Sequence, residues 1–238
     1  MKQLRLGIHC YDFIVTWTIN NSVDYSKLAK FPPSWPNEML VKVLSSTNYS
    51  PIISELPNLP SILEIGIFSG NNSRFFLENN YKVSGSELNQ EMVQLCIDNL
   101  TRLGYQVPEL AIGDNTNLAF GSEVFDLLVS INTIHYSSGE DSLRALSEFC
   151  RVLKPGGYAI IETSGSEHFA VKQSERKDIL KFIWHAGGFR EGEEFGFFDS
   201  MEHFKISLLK VFSEVQLCRR LETYPEVNLE FWMAICKK

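Results

Sequence analysis

The sequence predicts an α/β fold: a doubly wound, mostly parallel seven-stranded sheet with an antiparallel C-terminal strand, an N-terminal helical lid, and an insert after the fifth strand. Three observations predict it. From Ser61 to Thr163, short apolar runs alternate with segments of helical periodicity, as in parallel strands joined by crossover helices. The alternation then gives way to a long, aromatic-rich stretch, 164–202, too long for an ordinary connection. The chain closes with two strand patterns joined by a turn too short for a crossover, so those two strands are antiparallel neighbours.

Tyr25–Phe31 reads as a short helix. Phe31-Pro32-Pro33-Ser34-Trp35-Pro36 is extended, because each proline biases its predecessor away from helix. Ser34 is placed to cap a helix over about 37–46, where Met39, Leu40, Val43 and Leu44 recur at helical spacing. A proline-marked loop, 51–60, leads to the first strand, 61–65, which ends in a glycine loop. Helix 71–79 and a second strand, 81–86, follow, with Glu87 at the strand's end. Asn89 caps a helix carrying Met92, Val93, Leu95, Cys96, Asn99, Leu100 and Leu103, and Gly104 closes it. The third strand is 107–112, the fourth 124–130 and the fifth 157–163, with helix 141–152 between the last two. Asp199, with Glu202 three residues on, starts a helix to about Phe212. The final strands are 214–223 and 229–237. The chain divides into a lid segment, 1–60, a ligand-binding core, 61–163, a substrate-cover insert and helix, 164–212, and a terminal strand pair, 213–238.

With 22 Lys and Arg against 29 Asp and Glu, the 238-residue chain carries a net charge of −7. Phosphate binding needs clustered positive charge, so this balance predicts no nucleic-acid partner. The 44% apolar content argues against disorder. Five scattered cysteines, odd in number and without a C-x-x-C pair, read as reduced thiols of a cytoplasmic protein, and no metal site emerges. No run of 18 apolar residues is present, so no membrane span is expected.

In an open parallel sheet, ligands bind beyond the carboxyl ends of the strands. The first strand runs into Glu64-Ile65-Gly66-Ile67-Phe68-Ser69-Gly70, whose glycines let the backbone turn tightly, and the following helix start offers unpaired N–H groups. The second ends at Glu87, a carboxylate able to accept two hydrogen bonds from a ribose diol. The third leads to Gly113-Asp114-Asn115, and the fourth to Ser130-Ile131-Asn132-Thr133-Ile134-His135-Tyr136. Leu153-Lys154-Pro155-Gly156-Gly157 precedes the fifth. A dehydrogenase is the rival for such a fold, but this glycine loop lacks the G-x-G-x-x-G spacing.

In this ordered set the chain resembles the class I S-adenosylmethionine-dependent methyltransferases, over about Ser61–Thr163. The resemblance implies S-adenosylmethionine as cofactor. Gly66 and Gly70 would line its methionine end, with Glu64 holding the ammonium group. Glu87 would take the ribose hydroxyls and Leu88 would lie against the adenine. Asp114 would meet the adenine amino group, assisted by Asn115, and Ser130 would bring backbone to the methionine moiety. The family usually has glycine where Phe68 stands, and a side chain there narrows or redirects the loop.

Enzymes of this family that methylate base or glutamine amines carry an Asp/Asn-Pro-Pro-aromatic motif after the fourth strand, and metal-dependent catechol-type enzymes place paired acidic residues there. Ser130-Ile131-Asn132 is neither. The reading is therefore a metal-free enzyme that methylates an oxygen or nitrogen of a small-molecule or sugar-like acceptor. The alternative is a non-catalytic cofactor-binding module of the same fold. His135 is the candidate base, because it follows the fourth strand on the ligand side and an imidazole is tunable near neutral pH; the alternative is that it caps a loop or packs against the cofactor. The lid and residues 164–202 are expected to close over the acceptor. Phe182, Trp184, Phe197 and Phe198 form either the wall opposite the lid or the insert's own small core.

Overall fold

The computed structural model describes residues 35–185 and 192–238. The expected helix at 25–31, the cap at Ser34 and the first 34 residues of the lid lie outside them.

The main sheet has seven strands in the order β3-β2-β1-β4-β5-β10-β9. β1 (Ser61–Ile65), β2 (Lys82–Glu87), β3 (Glu109–Ile112), β4 (Phe125–Ile131) and β5 (Leu153–Ser164) are parallel. β10 (Asn228–Lys237) runs antiparallel to β5, and β9 (Glu214–Thr223) antiparallel to β10. Strand order reverses between β1 and β4, which opens a crevice at their carboxyl ends.

Alternation along the strands sends two apolar sets to opposite faces. On one face Ile62, Val83, Leu127, Val129, Ile160 and Met233 pack under α1 (Glu38–Ser45), α2 (Ile52–Glu55) and α3 (Asn71–Glu78), whose Leu40, Val43, Leu44, Ile52 and Phe76 are buried. Residues 38–55 therefore cover the sheet, although the sequence groups them with a lid. On the other face Leu63, Ile65, Leu128, Ala159, Ile161, Trp232 and Ala234 meet α5 (Glu140–Val152) and α7 (Met201–Leu208). α4 (Gln90–Arg102) buries Cys96 and Leu100 against Ile67.

Two caps and one boundary differ in detail from the expectation. Asn37 caps α1, accepting from Leu40 N at 3.0 Å. Ser200 rather than Asp199 caps α7, accepting from His203 N at 3.0 Å. Asn89 caps α4 as expected. β5 begins at Leu153 instead of Gly157, because its register with β4 slips between Phe125 and Leu127. The slip absorbs Lys154-Pro155-Gly156-Gly157 as an irregularity within the strand. Lys154 Nζ reaches Asp126 at 2.9 Å, and Asp126 also accepts from Ser61 N at 2.8 Å. This turn ties together the strand starts, at the sheet end opposite the crevice.

The insert builds its own layer: a short helix, α6 (Phe169–Lys172), and a three-stranded antiparallel sheet, β6 (Ser174–Asp178), β7 (Lys181–Trp184) and β8 (Glu194–Phe195). Phe182, Trp184, Phe195 and Phe197 form its small core, while Phe198 joins the main core. The insert docks where Gly196 N donates to His135 O at 2.9 Å. A Cβ on Gly196 would stand 1.9 Å from the Ser137 carbonyl oxygen, a backbone atom with no room to yield. Gly196→Ala is expected to destabilise the protein by about 2–3 kcal/mol through overpacking, read as a melting temperature lower by roughly 5–10 °C.

Candidate functional site

The site assembles where four strand ends meet. Glu64, in β1, is buried. Its Oε1 accepts from Asn72 Nδ2 at 3.0 Å and its Oε2 from the Ser73 hydroxyl, both in the first turn of α3. Burial pushes its carboxyl up to about 7, against the pull of those two hydrogen bonds, and nearby Glu87 adds to the rise. Gly66 follows at φ +66°, a left-handed conformation that L side chains rarely adopt. A Cβ there would lie 2.6 Å from Thr133 Oγ1, so the loops after β1 and β4 touch only because the side chain is absent. Thr133 Oγ1 seals the contact by donating within reach of Ile65 O and Ile131 O, at 3.2 and 3.0 Å.

Phe68 also sits at positive φ, +48°. The loop thus keeps the left-handed turn that glycine adopts most easily, and the phenylalanine bears the strain. The turn aims Phe68 N at Glu87 Oε1, 2.8 Å away. Leu88 N donates to Glu87 Oε2 at 3.0 Å. Glu87 is 6% exposed, and burial raises its carboxyl above the usual range against these two N–H donors. Backbone bonds stitch the neighbouring loops to it: Gly66 N to Ser86 O at 2.9 Å, and Gly113 N to Glu87 O at 2.9 Å.

Beside Glu87, Leu88 and Ile112 are large apolar side chains left about half exposed, at 47% and 48%. They offer an apolar surface at the ends of β2 and β3. Asp114 is exposed and folds an Asx turn, accepting from Thr116 N at 2.7 Å. Asn115 Nδ2 lies 3.4 Å from Ser137 Oγ, in the turn after β4. Gly70 closes the glycine loop as the N-cap of α3, at φ +73°.

At the end of β4 two polar side-chain atoms are buried without a hydrogen-bond partner among the described residues: Ser130 Oγ and Asn132 Oδ1. Asn132 is itself at φ +54°. Buried polar atoms are rarely left unpaired, so this pair marks a place for a polar ligand. Together with two buried carboxylates on adjacent strands and a side-chain-free loop between them, it fits a cofactor with a polar amino-acid end and a ribose.

His135 stands elsewhere than an open base would. It is 7% exposed, with its ring packed on Tyr136, Phe195 and Phe197 at centroid distances of 4.7, 6.3 and 5.6 Å. It joins the turn after β4 to the insert's aromatic core.

Sequence reasoning passed over four participants. Asn72 and Ser73 hold Glu64, and polar residues on the buried side of a helix's first turn were the available signal. Glu162, fully buried in β5, accepts from Asn37 Nδ2 at 2.9 Å, and burial pushes it up to about 7. Its signal was a carboxylate directly after the apolar Tyr158–Ile161 run, within the same strand pattern. Thr133 could be recognised only from its contact with Gly66.

Comparison with known proteins bears on this geometry. Residues 63–161 match the family described as "Methyltransferase domain". A S-adenosylmethionine-dependent methyltransferase from Methanosarcina mazei superposes with a TM-score of 0.64 at 20% identity, over 80% of this chain and 97% of that one. An N-methyltransferase from Bradyrhizobium japonicum, solved with S-adenosyl-L-homocysteine, gives 0.57 at 14% identity, over 84% of each chain. Among curated proteins, "Probable tRNA methyltransferase 9B" of Mus musculus is 38% identical over 73 residues, 30% of this chain and 16% of that protein. The "tRNA (carboxymethyluridine(34)-5-O)-methyltransferase" of Arabidopsis thaliana is 29% identical over 121 residues, 48% of this chain and 26% of that protein. The chain thus spans between a sixth and about a quarter of these curated relatives.

The tRNA methyltransferases among the relatives overturn the expectation of a small-molecule acceptor without nucleic acid. The physical reason is that net charge is a sum over the whole surface, whereas phosphate recognition is local. No helix among the described residues is long and apolar enough to cross a membrane.

Proposed function

We propose that the chain, whose residues 63–161 match a methyltransferase domain and whose fold is that of S-adenosylmethionine-dependent methyltransferases, is a class I enzyme of that kind and transfers the methyl group to an RNA of the tRNA kind. The observation that carries the acceptor is the match to tRNA methyltransferases at up to 38% identity. The charge distribution supports it. Residues 1–30 hold Lys2, Arg5, Lys27 and Lys30 against Asp12 and Asp24, a balance of +2, which leaves −7 − 2 = −9 for the rest. The acidity that argued against a polyanion therefore belongs to the chain beyond residue 30.

S-adenosylmethionine supplies an electrophilic methyl on a sulfonium. This chain's residues would bind and orient it. Glu64 would hold the ammonium group, and Ser130 Oγ and Asn132 Oδ1 would meet the polar methionine end alongside Gly66 and Gly70. Glu87 would accept from the ribose hydroxyls on lone pairs not used by Phe68 N and Leu88 N, with Leu88 and Ile112 against the adenine. Asp114 and Asn115 would stand at the adenine edge. Because displacement at a methyl consumes charge and creates no oxyanion, alignment of donor and acceptor supplies most of the acceleration. His135 would serve that alignment as a positioning residue, by fixing the insert to the turn after β4.

The test is transfer of labelled methyl from S-adenosylmethionine to unmodified tRNA transcripts, followed by nuclease digestion and mass analysis of the nucleosides. A methylated nucleoside is the expected result. Binding of S-adenosylhomocysteine with no transfer to any RNA would overturn the acceptor and leave a cofactor-binding module.

A further inference from the structure

We propose that the Trp35 indole is a stacking platform for a nucleobase of the acceptor, held at the rim of the cofactor site. The proposal rests on the RNA reading above and deepens it. Trp35 is the most exposed of the large apolar side chains among the described residues, at 80%. An indole left in water on a wandering loop would mean little, but this one stands on anchored backbone. Its carbonyl oxygen accepts from Asn71 Nδ2 at 3.0 Å, in the first turn of α3. Two residues on, Asn37 N donates to Asn72 Oδ1 at 2.8 Å and Asn37 Nδ2 to Glu162 Oε1 at 2.9 Å. Asn72 in turn donates to Glu64 at 3.0 Å. Between the anchors Pro36 restricts the backbone.

From its own carbonyl to Asn37, the backbone that follows the indole is thus bound to the first turn of α3, whose Asn72 holds Glu64 near the end of β1, and to Glu162 near the end of β5. β1 and β5 flank β4, where the Ser130 and Asn132 atoms without a partner among the described residues lie. A rigidly mounted aromatic face beside a reaction centre is what a splayed-out base requires, because sequence-specific RNA recognition stacks unpaired bases on aromatic side chains. Every base has a π face, so the platform needs no local positive charge, which suits an acidic domain.

The experiment uses the full chain with Trp35→Ala and Trp35→Phe. Three readouts are compared: S-adenosylhomocysteine affinity by calorimetry, KM and kcat on unmodified tRNA transcripts, and quenching of tryptophan fluorescence by those transcripts. Trp35→Ala is expected to raise KM for tRNA about ten-fold or more, within the range of one lost base stack. Cofactor affinity and melting temperature should stay unchanged, Trp35→Phe should keep KM within about three-fold of the parent, and part of the fluorescence quench should vanish in both variants. An unchanged KM in Trp35→Ala, with the parent active on tRNA, would overturn the platform while leaving the RNA reading intact. An equal loss of cofactor affinity would also overturn it, by assigning the indole to the cofactor pocket. A parent chain that methylates no RNA fails the reading itself, and the platform with it.

Discussion

Glu87→Ala is expected to weaken binding of S-adenosylhomocysteine about ten- to a hundred-fold, the result of losing charge-assisted hydrogen bonds to a ribose diol. The structure adds a second reason. Both carboxylate oxygens already accept backbone N–H groups, from Phe68 at 2.8 Å and Leu88 at 3.0 Å. Removing the side chain leaves those donors unpaired and frees the glycine loop from the end of β2. Glu87→Gln separates the two effects, because one amide oxygen can still hold Phe68 N. Its loss should fall between those of the parent and the alanine variant. Folding should survive, since the carboxylate is buried against its own ionisation. Calorimetric affinities of the three proteins check the assignment, and equal affinities would remove Glu87 from the site.

A comparably large effect is expected from pH acting through Glu64. Burial holds its carboxyl up at about 7. A cofactor ammonium favours the ionised form, so binding should tighten as pH rises towards 7 and level off above it. Below pH 7 the affinity should fall by up to about ten-fold per unit, as protons compete for the carboxylate. Glu64→Gln removes the titration and should flatten that slope, at the cost of weaker binding at pH 8. The Gln side chain can still accept from Asn72 and donate to Ser73, so the fold keeps its contacts.

The same carboxyl predicts a stability trend of opposite sign. Its pKa is higher folded than unfolded, so between about pH 4.5 and 7 the unfolded chain holds fewer protons than the native one. Stability of the ligand-free protein should therefore drop as pH rises through that window. Glu162, also held near 7, acts in the same direction. Thermal unfolding of the parent and Glu64→Gln proteins at pH 5 and pH 8 checks this. The variant should lose less on going to pH 8.

Much of this architecture was written in local patterns. Period-2 and period-3.6 apolar runs depend only on neighbours in the chain, so β1 to β5, the helices between them and the closing antiparallel pair were legible to within a few residues. Glu64, Gly66, Gly70, Glu87 and Asp114 were legible as strand-end residues because strand ends in a parallel sheet converge on one edge, whatever the packing. The tertiary structure decided what each of them touches. Glu64 is held near neutrality by burial under α3, and Phe68 keeps a glycine-like turn because Glu87 accepts from its amide. His135 turns into aromatic packing because residues 195–197, some sixty positions later, fold back onto it. Asn37, Glu162 and Trp35 enter the site region only through hydrogen bonds between residues up to 125 positions apart. Such contacts carry no periodicity and leave no spacing in the chain. They exist only once the sheet has brought its strand ends together.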